Sequence, residues 1–479
     1  FFSGHAERKL RCFNRTDAEN RYGGMSMNEE MLLTTPLSIE LYHDYAEKLP
    51  IIDFHNHLDV GDLINNRKFD NIAGLWLLGD PYKHRAMRIL GVDEKYITGS
   101  ASALEKFEKW CEIFPDLIGN PLWDWSLLEL KRVFNTDVVP SAQSAAQLWE
   151  ITNERLESDD CSALGFFNMF NVEYAAPCRT ITESVAELEA IPNAAPSMRA
   201  DGILPLTKDF INRLEAASEM KISDLDAFSE AVRKRIASFD KAGCRFCDHA
   251  LDNGFTYVCD DGKNDKRFLS VINGEVLCRS DEICLNSHVL RILAREYAAR
   301  KWVMQLHIGA MRHTSAKKRA AFGPTGGYAG IGRCSVDDVV TLLNDLEIKG
   351  ILPQTILFTL NPSDNAGLSI LSGSFTESGV RGKVTQGPAW WWCDHLGGMR
   401  EVLDAMSEYS LLSAFLGMTT DSRSLLSLSR HEYFRRVLCG WLGEKAHRGE
   451  ITSDKELLAR LVKRICYGNI KEILNRRED

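Results

Sequence analysis

Two histidines one residue apart, His55 and His57, close an apolar run at residues 49–58, Leu-Pro-Ile-Ile-Asp-Phe-His-Asn-His-Leu. Ile51 and Ile52 ahead of Asp53 and Phe54 read as a buried strand, and residues two apart on a strand point to one face. Asp53, His55 and His57 are therefore expected to share a face. Neutral imidazole is a common ligand for divalent cations, so the pair would supply half of a coordination shell. A bare His-x-His is more often a pair of surface histidines, but this one ends an apolar run instead of lying in a polar loop. A carboxylate and water would complete the site, and the candidate carboxylate is Asp421 in Gly-Met-Thr-Thr-Asp-Ser-Arg, 417–423. Arg199, Arg312 and Arg423 add guanidinium groups, which bind carboxylate or phosphate bidentately. No glycine-rich phosphate loop or dinucleotide fingerprint occurs, which points to a small carboxylic acid. Two chemistries suit such a set: hydrolysis by a metal-activated water, and proton transfer between adjacent carbons of a hydroxy-carbonyl compound.

Those side chains need a frame that gathers them. Strand-like runs at 51–55, 172–178, 197–204, 243–251, 302–309, 355–360, 382–387 and 412–418 alternate with room for crossover helices, the rhythm of an α/β protein and the count of a (β/α)8 TIM barrel. In a closed barrel the eighth strand lies beside the first, so Asp421 could reach the histidine pair. A barrel carries its active site at the C-terminal ends of its strands. Polar residues gather at those predicted ends: His55 and His57, Arg199 and Asp201, Asp248 and His249, His307 with Arg312, Asn361 and Asp364, Trp390 to Trp392, and Asp421 with Arg423. Any one could be a helix cap; seven at one mouth mark a site. Residues 61–170 hold helical spacing and few strand-like runs, an all-helical insertion after strand 1. The division expected is an irregular N-terminal segment at 1–26, a first barrel part at 27–60, the insertion at 61–170 and the remaining barrel at 171–479, with Met25 or Met27 opening the folded part.

The totals exclude several classes. A chain of 479 residues that is 44% hydrophobic can bury a large core, and a net charge of −10 with interspersed signs argues against nucleic acid and anionic membranes as partners. No apolar stretch approaches the ~20 residues of a membrane-spanning helix, and the first residues lack the pattern of a signal peptide. The 13 cysteines are scattered, several of them (Cys178, Cys439, Cys466) inside apolar runs, as small core residues of a reducing compartment would be. Cys244-Arg-Phe-Cys247 has redox spacing without a second pair. A cytoplasmic protein is expected.

Five segments together carry a resemblance: Asp-Phe-His-Asn-His-Leu (53–58), Met-Gln-Leu-His-Ile-Gly-Ala-Met-Arg (304–312), Thr-Leu-Asn-Pro-Ser-Asp-Asn (359–365), Ala-Trp-Trp (389–391), and Gly-Met-Thr-Thr-Asp-Ser-Arg-Ser (417–424) followed by Arg-His-Glu-Tyr-Phe-Arg-Arg (430–436). In this order they resemble the uronate isomerase (glucuronate isomerase) family of the amidohydrolase superfamily. The resemblance implies a distorted barrel of the metal-dependent hydrolase type with a helical insertion. It also implies reversible aldose–ketose isomerisation of D-glucuronate to D-fructuronate and of D-galacturonate to D-tagaturonate. It places one divalent metal, Zn2+ expected, at His55, His57 and Asp421. It makes Asp421 the carrier of the proton between C2 and C1. Arg199, Arg312, Arg423 and Trp390 become substrate-binding positions, and His307, Asp248 and Tyr82 catalytic ones. The partner implied is a small sugar acid, and a homo-oligomer is expected. Where the family usually reads Asp-His-Tyr-Lys-Trp-Arg, this chain has Asp80-Pro-Tyr-Lys-His-Arg85. Pro81 can neither donate nor accept a side-chain hydrogen bond; His84 either compensates one turn along or lies on the surface. A hydrolase of a small carboxylated substrate is the alternative on the same barrel, and a binding protein that has lost catalysis is a third reading prompted by Pro81.

Overall fold

The computed structural model describes residues 28–200, 202–323 and 327–476; the segment 1–26 and Asp201 lie outside them. Seven strands form one parallel sheet: β1 Ile51–Asn56, β2 Val172–Thr180, β3 Ser197–Arg199, β4 Phe246–Leu251, β5 Val303–Ile308, β6 Gln354–Thr359 and β7 Val384–Gln386. Each pairs with the next in sequence. β1 and β5 are buried at every residue, as strands covered on both faces must be. The sheet curls into the distorted barrel expected, with apolar side chains from β1, β2, β4, β5 and β6 (Ile52, Phe54, Ala176, Phe246, Val303, Ile356) packed together with Leu416, Ile470 and Ile473.

The eighth strand predicted at 412–418 does not form. The chain makes a short turn at Leu412–Ala414 and then runs extended along β1 without a continuous ladder. The reason is that side chains take over ladder bonds. The His55 amide donates to the Thr419 hydroxyl (2.8 Å) in place of a backbone carbonyl. Only Asp421 N to His55 O (3.0 Å) and His57 N to Ser422 O (2.8 Å) link the two backbones. The third strand is also shorter than 197–204: it stops at Arg199.

Between β1 and β2 the chain is helical: Val60–Ile64, Ile72–Trp76, Pro81–Ile89, Ala103–Ile113, Pro121–Phe134, Ala145–Leu156 and Ala163–Met169. Pro81–Ile89 begins as its sequence dictates. The Asp80 carboxylate accepts from the amides of Tyr82 and Lys83, and Pro81 occupies the first turn, where no intrahelical N–H is needed. Lys83 is buried beneath it, 2.6 Å from Asp80 and 4.0 Å from Glu129, which also accepts from the Trp76 indole. After β5 a two-stranded ribbon, Ala310–Met311 with Gly330–Ile331, brackets the helix Ala316–Phe322.

Gly417 starts the extended run with φ +80, and a Cβ there would stand 2.4 Å from the Ile465 carbonyl oxygen. Gly417→Ala therefore meets both a left-handed backbone and fixed neighbouring backbone. It should cost about 3 kcal/mol in urea unfolding; a loss within experimental error would mean that this run is not held against the C-terminal helices.

Candidate active site

The site is assembled from the two ends of the described chain. β1 carries His55 and, one residue past its end, His57; residues 416–422 lie beside it and present Asp421. The clasp between them is Asp53, which is fully buried. Its carboxylate accepts from the Thr420 amide (2.7 Å), the Thr420 hydroxyl (2.7 Å), the Thr419 hydroxyl (2.8 Å) and the Asn56 side chain (3.0 Å), with His431 Nε2 3.5 Å away. The register of β1 against β2 shifts twice, so strict alternation fails. Asp53 consequently engages the closing segment, not the face expected for it beside the histidines. Burial pushes its carboxyl up, but His431 and Thr420 outweigh burial and hold it below the usual carboxylate range.

Asp421 sits in the left-handed region, φ +46, as does Trp391 at φ +50, a sparsely populated conformation for side chains of this kind. Its Oδ1 lies 3.2 Å from His55 Nε2 and 3.0 Å from His57 Nε2, and its Oδ2 accepts from the Trp390 indole at 2.9 Å. Burial works to raise this carboxyl; the two histidines outweigh it and keep the group ionised. Burial brings His57 down to about 4, against the pull of Asp421. His55 moves the other way: burial lowers it, but the Cys178 sulfur and Asp421 raise it further. His307 stacks on Phe358 (4.6 Å, 7°), lies 4.4 Å from the His55 ring and meets the edge of Trp390 at 4.7 Å. Neither of its ring nitrogens has a hydrogen-bond partner, and burial holds it well below its ordinary value and thus neutral. Buried polar atoms left unpaired cost about 1–3 kcal/mol each, so a ligand that engages them is favoured.

A cavity of about 300 Å3 is lined by His55, His57, Tyr82, Arg199, His307, Arg312, Trp390, Asp421 and Arg423, together with Pro81 and Trp391. Tyr82 comes from the helix Pro81–Ile89, between β1 and β2; its ring packs edge-on to Trp125 and Trp392. Burial, then the charge of Asp421, keep its phenol protonated. Arg199 Nη1 reaches His57 Nε2 at 3.1 Å. Arg312 is gripped at Nε by Asp252 (2.8 and 3.1 Å) and lies over Trp391. Arg423 is exposed at the rim.

Several expectations change. Asp248 does not line the cavity; it is buried behind it, 3.7 Å from both Arg199 Nε and Cys178 Sγ. His249 turns to Tyr297 (3.1 Å), and Asn361 caps the turn that follows β6. His84 is neither on the surface nor in the site: it is buried and lines a separate cavity of about 350 Å3 with Pro81, Arg88 and Arg423. Cys178, read as core filler, instead faces His55 Nδ1 at 3.6 Å. Its place near the C-terminal end of a predicted strand was the available signal. Cys244 and Cys247 are buried, and their thiols bond to backbone carbonyls.

The donor set fits a divalent cation. Among the described residues, His55 with His57 and Cys178, and His55 with Asp248 and His307, have donor atoms within 4.8 Å of one another. The carboxylate of Asp421 lies between the two imidazoles of His55 and His57. His57 Nε2 cannot donate to Asp421 and accept from Arg199 together, and a cation on its lone pair would remove that conflict. Imidazole with carboxylate suits a borderline divalent ion. No helix among the described residues is long and apolar enough to cross a membrane.

Residues 25–474 match the glucuronate isomerase family. A uronate isomerase of Caldanaerobacter subterraneus is 39% identical over 460 residues, 94% of this chain and 99% of that protein. One from Bacillus licheniformis is 40% identical over 456 residues, 93% of this chain and 96% of that protein. Among solved structures, the uronate isomerase of Thermotoga maritima superposes with a TM-score of 0.87 at 28% identity, covering 94% of this chain and 100% of that one. The glucuronate isomerase of Caulobacter crescentus gives 0.86 at 23% identity, covering 94% and 97%.

Asp53→Asn should cost about 3 kcal/mol, because both carboxylate oxygens accept from donors, so either orientation of the amide turns its NH2 toward groups that now donate, the Thr420 hydroxyl and Asn56 NH2 or the Thr420 amide and Thr419 hydroxyl. The wild-type carboxyl is held below its unfolded value of about 3.9, so its contribution is complete above that pH and is lost as pH falls through the folded value. The Asn variant should therefore lose less stability than wild type on acidification below about pH 4; parallel acid limbs in urea unfolding would remove Asp53 from this role.

Proposed function

The chain belongs to the glucuronate isomerase family, and from that premise we propose that it interconverts D-glucuronate with D-fructuronate and D-galacturonate with D-tagaturonate. The observation that carries the reading is Asp421: an ionised carboxylate, held in a left-handed backbone by Trp390 and two imidazoles, facing a cavity ringed by three arginines. The substrate carboxylate pairs with Arg312, whose Nε is already committed to Asp252 so that its terminal nitrogens serve the ligand, and with Arg199. Arg423 closes the rim. Asp421 takes the proton from C2 and returns it to C1, with an enediol between the two states, while the hydroxyl proton passes from O2 to O1. Tyr82, a neutral phenol, donates to the oxygen on which charge develops; His307, a neutral imidazole, can donate from one nitrogen and accept at the other. Trp390 orients the carboxylate that moves the proton.

His55, His57 and Asp421 would hold one divalent cation, zinc by this reading, and the ion would polarise the hydroxy-carbonyl oxygens. The hydrolytic alternative is not favoured, since the relatives compared above are named isomerases. The described cysteines are all unpaired, which suits a reducing cytoplasm.

Proton NMR of D-glucuronate, and separately of D-galacturonate, in D2O with the zinc-loaded protein should show new ketose signals and rank the two epimers. Silence on both from folded, metal-loaded protein would sink the reading. Asp421→Asn should lower kcat by about 10²–10⁴-fold with an unchanged far-ultraviolet circular dichroism spectrum; unaltered turnover would take Asp421 out of the proton path.

A further inference from the structure

His55 is approached on both edges of its ring. Nε2 faces Asp421 Oδ1 at 3.2 Å on the cavity side. Nδ1 faces the Cys178 sulfur at 3.6 Å, and that sulfur lies 3.7 Å from Asp248 Oδ1. The other oxygen of Asp248 is 3.7 Å from Arg199 Nε, and the same guanidinium reaches His57. A line of polar groups therefore runs from the back of the first histidine through a thiol to a buried carboxylate, and returns by way of Arg199 to the second histidine.

A neutral imidazole carries one N–H. For Nε2 to offer its lone pair to a cation, the proton must stay on Nδ1, and something must accept it. Histidines that bind metals usually hand that N–H to a carboxylate, a backbone carbonyl or water. Here a thiol stands in that place. Sulfur can accept from Nδ1–H, and the S–H can in turn donate to Asp248 Oδ1, so every hydrogen in the line has an acceptor. Neighbouring His307, buried with both ring nitrogens unpartnered and its ring 4.4 Å from that of His55, shows that this buried corner holds donor atoms awaiting a ligand.

We propose that Cys178 is the positioning residue for His55: its thiol accepts Nδ1–H, passes its own hydrogen to Asp248, and so leaves Nε2, directed at the cavity, as the ring nitrogen that gives up its proton to take a divalent cation. Cys178 acts through His55 and is not itself a ligand. The inference rests on the cation site assigned above to His55, His57 and Asp421.

The test compares Co2+ binding by wild type, Cys178→Ser and Cys178→Val, followed by the visible absorption of bound Co2+ and by competition with Zn2+. Serine keeps an acceptor and a donor at this place; valine keeps bulk and removes both. Valine should weaken Co2+ binding by about 10–100-fold, serine should recover most of the loss, and the metal-free proteins should melt alike. A near-ultraviolet thiolate-to-cobalt charge-transfer band in wild type that vanishes in the serine variant would make Cys178 a direct ligand and overturn the proposal. Equal affinity in the valine variant would overturn it too. Nitrogen-15 NMR of the zinc-loaded wild type needs no variant: a proton on His55 Nδ1 supports the proposal, and a bare Nδ1 defeats it. Failure of the underlying site reads differently, as wild type that takes up no Co2+ or a His57→Ala variant that binds it as tightly as wild type.

Discussion

A single buried carboxylate, Asp53, determines whether this site exists. Moving a charge out of water costs several kcal/mol unless hydrogen bonds replace the lost hydration. Asp53 satisfies that demand with the amide and hydroxyl of Thr420, the hydroxyl of Thr419 and the side chain of Asn56. Two of those residues are more than 360 positions away in the chain. The carboxylate cannot be solvated in any other way at that depth, so the closing segment must lie along β1, and Asp421 is brought against His55 and His57 as a consequence. The long helix Arg430–His447 joins the same arrangement: His431 faces Asp53, and Arg430 bonds to the Thr420 carbonyl.

A second set of buried charges fixes the helices between β1 and β2 against the rest of the chain. Lys83, Asp80 and Glu129 form one group; Arg430 pairs with Asp394 at 2.7 Å and lies 4.6 Å from the Trp125 ring. A stranded member of either group would cost more than the pair contributes, so these groups specify one docking of the helices and, with it, the place of Tyr82. The proline at residue 81 is compatible with that docking. It starts the helix without loss, and Gly327 packs so closely on its carbonyl that a Cβ there would come within 2.6 Å. Pro81 forms part of one wall of the cavity. His84, one turn along, faces a different space.

Protonation states in the cavity follow from surroundings more than from residue type. Burial keeps His57 and His307 neutral, paired imidazoles keep Asp421 ionised, and burial beside a carboxylate keeps Tyr82 a phenol. An anion to move a proton, neutral groups to donate and accept around it, and arginines to hold a substrate carboxylate are the parts that isomerisation of a uronate needs. The low dielectric that produces these states also strengthens each interaction with the substrate.

Much of this was legible in the chain. The His-x-His after an apolar run, the alternation of strands and helical stretches, the capped helix at Asp80 and Pro81, and the arginines near strand ends are all local patterns, and local spacing governs which residues form an element and which side is buried. The pairing of Asp421 with the histidines was also readable, because a closed barrel puts its last segment beside its first. Residue order could not say that residues 412–418 forgo a ladder, because that depends on Thr419 offering a hydroxyl to the His55 amide. Nor could it say that Asp53 turns to the closing segment, that His249 turns to Tyr297 and Asn361 caps the turn after β6, or that Cys178 and Asp248 stand behind His55. A polar residue at a strand end has the same local signature whether it faces the cavity, a neighbouring helix or a buried partner. Which one it faces is decided only when segments hundreds of residues apart close on one another and each buried polar group must find its partner.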